Sequence, residues 1–301
     1  MATRPWLAPL VLAFILVLAP GASGAKSKPA AASRVFLIVL ENHELDEVFG
    51  SAETPFLNEL TQHAAWASRY YAVAHPSLPN YLALLGGSTF GIGENCTACL
   101  ARDPNLALQL SRAGISWRAY MGDMPRPCFE GAESGDYVKR HDPFMYFPSV
   151  ASNPERCRQV VPAKRLDRDL RSHSLPSFGW LTPGLCDDAH DCNLATADSY
   201  LSRLVPRIMR GLGPGGNLIV TFDEGTSDEA CCGPFDQGGG GRVLTVIASP
   251  GETAGRRLTG TYNHYSLLAA LERHFGLLRL RAARQAEALP LNTASRRSPR
   301  G

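Results

Sequence analysis

Uninterrupted apolar runs recur along the chain and alternate with stretches whose apolar positions return every three or four residues. Val35-Phe36-Leu37-Ile38-Val39-Leu40 contains no polar position, the pattern of a strand covered on both faces. Ser116 to Met121, Phe178 to Leu181, Leu218 to Phe222 and Val243 to Ala248 are predicted as further strands, and Tyr70 to Ala74 reads as extended. Helical periodicity is predicted over Ser77 to Leu85, Leu106 to Ala113, Ala197 to Arg210 and Tyr265 to Phe275. A further helix begins at Pro55 and runs through Leu57, Leu60 and Ala64, with Thr54 placed to cap it. Strands alternating with helices predict an α/β domain, a three-layer sandwich with a mainly parallel central sheet.

The ends and one interval follow other patterns. Arg4 precedes an apolar stretch from Leu7 to Leu18, and the small residues Gly21 to Ala25 follow, the order of a secretory leader cleaved near Ala25. Residues 1–25 are read as a signal peptide, 34–285 as the domain and 286–301 as a flexible tail, basic from Arg296 onward. Pro9, and an apolar run shorter than the roughly 20 residues that span a bilayer, argue against a retained anchor. No stable membrane insertion is therefore expected after cleavage. The interval from Cys128 to Asp191 is rich in proline, cysteine and polar residues and reads as an elaborated loop region over the sheet. Gly238 to Gly241 lacks the Lys-Ser or Lys-Thr of a phosphate-cradling loop and reads as a surface turn.

Composition narrows the class. All eight cysteines lie after the leader, and an even count in an exported chain predicts disulfides, in a secreted or periplasmic protein, with the pairing left open. Cys96-Thr97-Ala98-Cys99 has no second such pair with matching histidines, which disfavours a zinc site there. The net charge of +2 gives no long-range field for nucleic acid. A small anionic substrate would have to be held by local charges.

Those local charges stand at strand ends. Val39-Leu40 leads into Glu41-Asn42, and Val220-Thr221-Phe222 leads into Asp223-Glu224. Ligands of open parallel sheets bind at the carboxyl ends of strands, and three carboxylates with an amide there call for a cation of the hard, oxygen-loving kind, Mg, Ca or Mn. Read separately, each pair is also simply a polar strand end. In His75-Pro76-Ser77-Leu78-Pro79-Asn80-Tyr81 a serine stands between an extended segment and a helix. It is placed equally well for a helix cap and for a nucleophile beside anion-stabilising N–H groups.

Taken together, Glu41-Asn42-His43, His75 to Tyr81, Asp187-Asp188-Ala189-His190-Asp191, Phe222-Asp223-Glu224 and His264-Tyr265-Ser266-Leu267-Leu268 resemble the ordered motifs of bacterial secreted phosphoesterases, which include acid phosphatases and phospholipases C. The resemblance covers nearly all of Val35 to Leu278 and implies an alkaline-phosphatase-like fold. Ser77-Leu78-Pro79-Asn80 is similar to the nucleophile turn of nucleotide pyrophosphatases, which carry threonine where Ser77 stands. It implies a phosphoseryl intermediate on Ser77 and one divalent metal ion held by Glu41, Asn42, Ser77, Asp223 and Glu224. His141 and His190 match histidines of the acid-phosphatase branch and are expected to contact phosphate or act as general acid. Asn80, Asp191 and His264 are expected on the substrate side. Glu224, where the pyrophosphatases have histidine, argues against a zinc pair, and Tyr81 stands where a sulfatase would need arginine. The resulting expectation is a secreted acid phosphatase acting on phosphate monoesters, with a phosphodiesterase of phospholipase C type as the alternative. Its partner would be a small phosphorylated substrate or a phospholipid head group, not nucleic acid. An exported protein that only binds a cation or phosphate is the reading from another class, disfavoured by Ser77 standing with all four other ligands.

Overall fold

Val35–Leu40 (β1) is buried at all six positions, as its unbroken apolar run requires, and lies near the middle of an eight-stranded sheet. The computed structural model describes residues 1–2, 32–232 and 239–291. The predicted leader beyond its second residue, Gly238 and the tail from residue 292 lie outside the described residues. The other sheet strands are Ala65–Ala67 (β2), Trp117–Met121 (β3), Val160–Pro162 (β4), Phe178–Thr182 (β5), Asn217–Phe222 (β6), Thr245–Ala248 (β7) and Arg256–Leu258 (β8). Their order is β8-β2-β7-β6-β1-β5-β3-β4. Among the described strands of this sheet, β7 alone runs against its neighbours β2 and β6.

Helices cover the sheet in two groups. Pro55–His63 (α1), Lys164–Arg171 (α4) and Leu194–Leu212 (α5) pack together, as do Ser77–Gly86 (α2), Leu106–Arg112 (α3) and His264–Phe275 (α6). The predicted three-layer α/β architecture is thus the observed one. No helix among the described residues is long and apolar enough to cross a membrane.

Local expectations fail where distant residues intervene. Thr54 stands before α1, but its hydroxyl donates to the Val48 carbonyl at 2.6 Å. The free N–H groups of Phe56 and Leu57 instead donate to the Asp198 carboxylate of α5, at 3.0 and 2.8 Å. Tyr70 to Ala74 is strand only at Tyr70–Tyr71. The interval Cys128 to Asp191 contributes β4, α4 and β5 to the core architecture in addition to its loops. The eight cysteines form Cys96–Cys99, Cys128–Cys157, Cys186–Cys192 and Cys231–Cys232.

Glu272, on α6, is a buried carboxyl whose Oε1 accepts the Leu280 N–H at 2.8 Å while Oε2 has no hydrogen-bond partner. Burial pushes its pKa up from 4.5 to about 8. Between those values the native state holds a proton that the unfolded chain has released. This group's contribution to stability therefore declines as pH rises through that window. Glu272→Gln keeps the acceptor for Leu280 and carries no charge. The variant's melting temperature should gain on wild type steadily from pH 5 to pH 8, whereas a constant difference across that range would refute the assignment.

Candidate active site

Three loops leave the carboxyl ends of neighbouring strands β1, β6 and β5 and converge. Leu40 lies opposite Phe222 in the sheet, so Glu41 and Asp223, which follow them, emerge side by side. The Asp223 N–H donates to the Leu40 carbonyl, and the Glu41 N–H donates to the Asp188 carbonyl, each at 2.9 Å, which brings in the loop after β5. Asn42 turns the chain with φ at 53°, a left-handed conformation asparagine tolerates better than most residues. The N–H groups of Asn42 and Glu224 both donate to Asp223 Oδ1, at 3.2 and 2.6 Å. One oxygen of Asp223 thus orders both strand ends.

Ser77 begins α2, all ten residues of which are buried. Pro76 occupies the cap position, and the Ser77 hydroxyl points instead at carboxylates, 3.1 Å from Glu41 Oε2 and 3.0 Å from Glu224 Oε1. The Ser77 side chain therefore does not cap α2. Tyr81, one helical turn further on, donates its hydroxyl to Glu41 Oε1. Asn80 is buried and committed: its Oδ1 accepts from Val73 N–H and Ala74 N–H at 2.9 and 3.1 Å, and its Nδ2 donates to the Ala74 carbonyl at 2.7 Å. It shapes the turn that presents Ser77 and offers no free donor to a substrate. Asn95, on the loop beside the Cys96–Cys99 disulfide, accepts the Leu78 N–H at 3.0 Å.

The histidines divide by environment. His141 is buried, with Nε2 3.3 Å from Glu41 Oε2, Nδ1 3.4 Å from Asp188 Oδ2 and its ring stacked on Tyr81. Burial, then Arg140 and His190, hold its pKa well below the ordinary range. His190 is half-buried on the loop closed by Cys186–Cys192. Its Nδ1 lies 2.6 Å from the exposed Asp191, and its Nε2 faces an Arg140 guanidinium nitrogen at 3.4 Å. His264 lies under the site, bonded at Nδ1 to Tyr70 hydroxyl (3.0 Å) and at Nε2 to the Asp223 carbonyl. Both its nitrogens are engaged by the protein, and burial lowers it to about 4. Asp191 orients His190 from the solvent side. Asp188, Tyr81, Arg140 and His75 join the site as well; Asp188, Tyr81 and His75 lie within the motifs quoted above without a role assigned to them there. Asp188 and Arg140 adjoin expected histidines, and Tyr81 and His75 flank Ser77, but their contacts span the fold.

Four carboxylates, Glu41, Asp188, Asp223 and Glu224, are buried within this small volume. Burial first, and then their mutual repulsion, raise Glu41 and Asp223 well above the usual range, and burial does the same for Asp188. Asn42 Oδ1, Asp223 Oδ2, Asp188 Oδ2 and His141 Nε2 are buried without a hydrogen-bond partner. Orphaned polar atoms of this kind are costly unless something outside the chain satisfies them. Glu41, His141 and His190 also offer ligand atoms within 4.8 Å of one another. The donor set fits a divalent cation. The oxygens of Glu41, Asn42, Asp223 and Glu224 suit a hard ion, and the two imidazoles add nitrogen donors that borderline metals also accept.

Known proteins resemble this chain in both sequence and fold. A model described as Phosphoesterase family matches residues 48–278. The chain is 30% identical over 259 residues to the acid phosphatase of Aspergillus fumigatus, covering 81% of this chain and 55% of that protein. It is 27% identical over 247 residues to the phosphatidylinositol-3-phosphatase of Mycobacterium tuberculosis, covering 81% of this chain and 77% of that one. This chain therefore spans about half the length of the Aspergillus relative. Among solved structures, a protein of the alkaline phosphatase superfamily from Vibrio parahaemolyticus aligns over 87% of this chain and 71% of its own, with a TM-score of 0.58 at 13% identity.

Proposed function

The chain belongs to the phosphoesterase family, and on that premise we propose that it hydrolyses phosphate monoesters through a phosphoseryl intermediate on Ser77. The observation that carries the reading is the Ser77 hydroxyl, which opens a buried helix and points into two buried carboxylates. Glu41, Asn42, Asp223 and Glu224, with Ser77 itself, would hold a divalent cation. When bound, such an ion supplies positive charge to a serine oxygen and to the phosphoryl oxygens.

The chain's own groups account for the rest. Ser77 Oγ forms a bond to phosphorus while the bond to the leaving oxygen breaks, and the hydroxyl proton passes to the carboxylate of Glu41 or Glu224. His190, entering as the imidazolium, gives its Nε2 proton to the leaving oxygen while Asp191 fixes its ring at Nδ1. The same imidazole then takes a proton from the water that opens the phosphoserine, and the carboxylate returns its proton to the departing Ser77 oxygen, which releases phosphate and restores the serine. His141, kept neutral by burial, packs between Glu41 and Asp188, its nitrogens 3.3 and 3.4 Å from their oxygens. Four disulfides and the leader-like N-terminal pattern support a secreted or periplasmic site of action.

Arg140 favours monoesters over diesters, because its half-buried guanidinium sits beside His190 and suits the second negative charge of a monoester. In paired assays, kcat/KM on p-nitrophenyl phosphate should exceed that on bis-p-nitrophenyl phosphate by at least roughly tenfold, a difference of about 1.4 kcal/mol. Arg140→Ala should narrow the ratio by lowering the monoester rate. A wild-type preference for the diester would place the protein with the phospholipase C type instead.

A further inference from the structure

Glu224 divides its carboxylate between two partners. Oε1 accepts from the Ser77 hydroxyl at 3.0 Å, and Oε2 is bound to His75 Nδ1. The other nitrogen of that ring, Nε2, lies 2.9 Å from the Ser227 carbonyl. A carboxylate and a carbonyl can only accept, so the ring donates at both ends. Ser227 is itself anchored. Its N–H donates to Glu44 Oε1 at 3.1 Å, and its hydroxyl donates to the same oxygen. A side chain at Gly225 would collide with this contact, since its Cβ would come within 2.5 Å of Glu44 Oε2. The contacts run Ser77–Glu224–His75–Ser227–Glu44. They tie the loop after β1, the loop after β6 and the segment entering α2.

We infer that His75 is a positioning residue, which draws Glu224 Oε2 aside and so leaves Oε1 facing Ser77, the remainder of the strap keeping the Glu224 loop in register. Left alone, Glu224 has several staggered conformers available and the repulsion of Glu41 and Asp223 to escape. The bond from His75 selects the one that serves the nucleophile. The inference rests on Ser77 and Glu224 having the roles proposed above. Outer groups that orient ligand carboxylates in this way typically affect metal affinity or rate by 10- to 100-fold.

The two amide replacements separate the contacts. In His75→Asn the amide nitrogen stands where Nδ1 stood and still reaches Glu224, whereas in His75→Gln it stands where Nε2 stood and serves only Ser227. Manganese binding, titrated by calorimetry on the Ser77→Ala protein, should weaken roughly 10- to 100-fold with His75→Gln or His75→Ala and recover with His75→Asn. With Ser77 present, kcat on p-nitrophenyl phosphate should follow the same order at nearly constant KM. Equal values for the Asn and Gln variants, in binding and in kcat, would overturn the role of His75 while leaving the phosphatase reading intact. A wild-type protein that neither binds manganese nor hydrolyses the ester would remove that reading, and the inference with it.

Discussion

Ser77→Ala should lower kcat on p-nitrophenyl phosphate by roughly three orders of magnitude or more while the protein stays folded. The structure separates these effects because Ser77 is not the cap of α2; Pro76 holds that position. A lost serine cap would cost about 0.5 to 2 kcal/mol of stability and leave turnover per folded molecule intact. Here alanine suits the helix, and what disappears is the oxygen that meets phosphorus. Neighbours in Pro76-Ser77-Leu78-Pro79 offer no substitute nucleophile, and Tyr81 is bound to Glu41. Acid quench of the wild type during turnover of a radiolabelled ester should leave label on the peptide containing Ser77. A folded Ser77→Ala protein with near-normal turnover, or label on another peptide, would overturn the phosphoseryl mechanism.

How much of this was legible beforehand depends on whether the signal was local. β1, β5 and β6 announce themselves because strands buried on both faces are mostly apolar, β1 throughout and β5 and β6 but for Thr182, Asn217 and Thr221. β2, β4 and β8 have three residues each, too few to show a period, and they are strands only because a neighbour pairs with them. The site divides the same way. Glu41, Asn42, Asp223 and Glu224 follow strong strands, so their convergence was foreseeable from topology. Asn80 and His264 sit inside recognisable motifs, yet the Ala74 and Pro76 carbonyls take the amide donors of Asn80, and Tyr70 and Asp223 engage both nitrogens of His264. His75 meets Glu224 across 149 positions of sequence, a pairing that no spacing rule reaches. His141 shows the limit of residue type as a guide: imidazole is the usual proton carrier, but burial holds this ring's pKa well below the ordinary range, whereas His190 is more open.

Chelation should abolish activity, and a divalent metal should restore it, because the cluster is built around a charge that the chain does not supply. Glu41, Asp188, Asp223 and Glu224 share one buried region, and burial first, with repulsion among neighbouring carboxylates, already disfavours the ionised forms of Glu41, Asp188 and Asp223. A cation held by these residues would reverse that penalty, and the orphaned oxygens of Asn42 and Asp223 are placed to serve it. Asp223→Asn isolates the charge: the amide oxygen can still accept from Asn42 and Glu224 N–H, so both strand ends keep their geometry. That variant should fold, bind manganese more weakly and lose roughly a hundredfold or more in kcat/KM. The same ion should raise the wild-type melting temperature, since ligand at 100 times its Kd adds about 2.7 kcal/mol to the folded state. The shift in Asp223→Asn should be much smaller at equal metal concentration. Full activity in protein shown by elemental analysis to be free of metal would remove the cation from the mechanism, and the four carboxylates would then have to be held by shared protons instead.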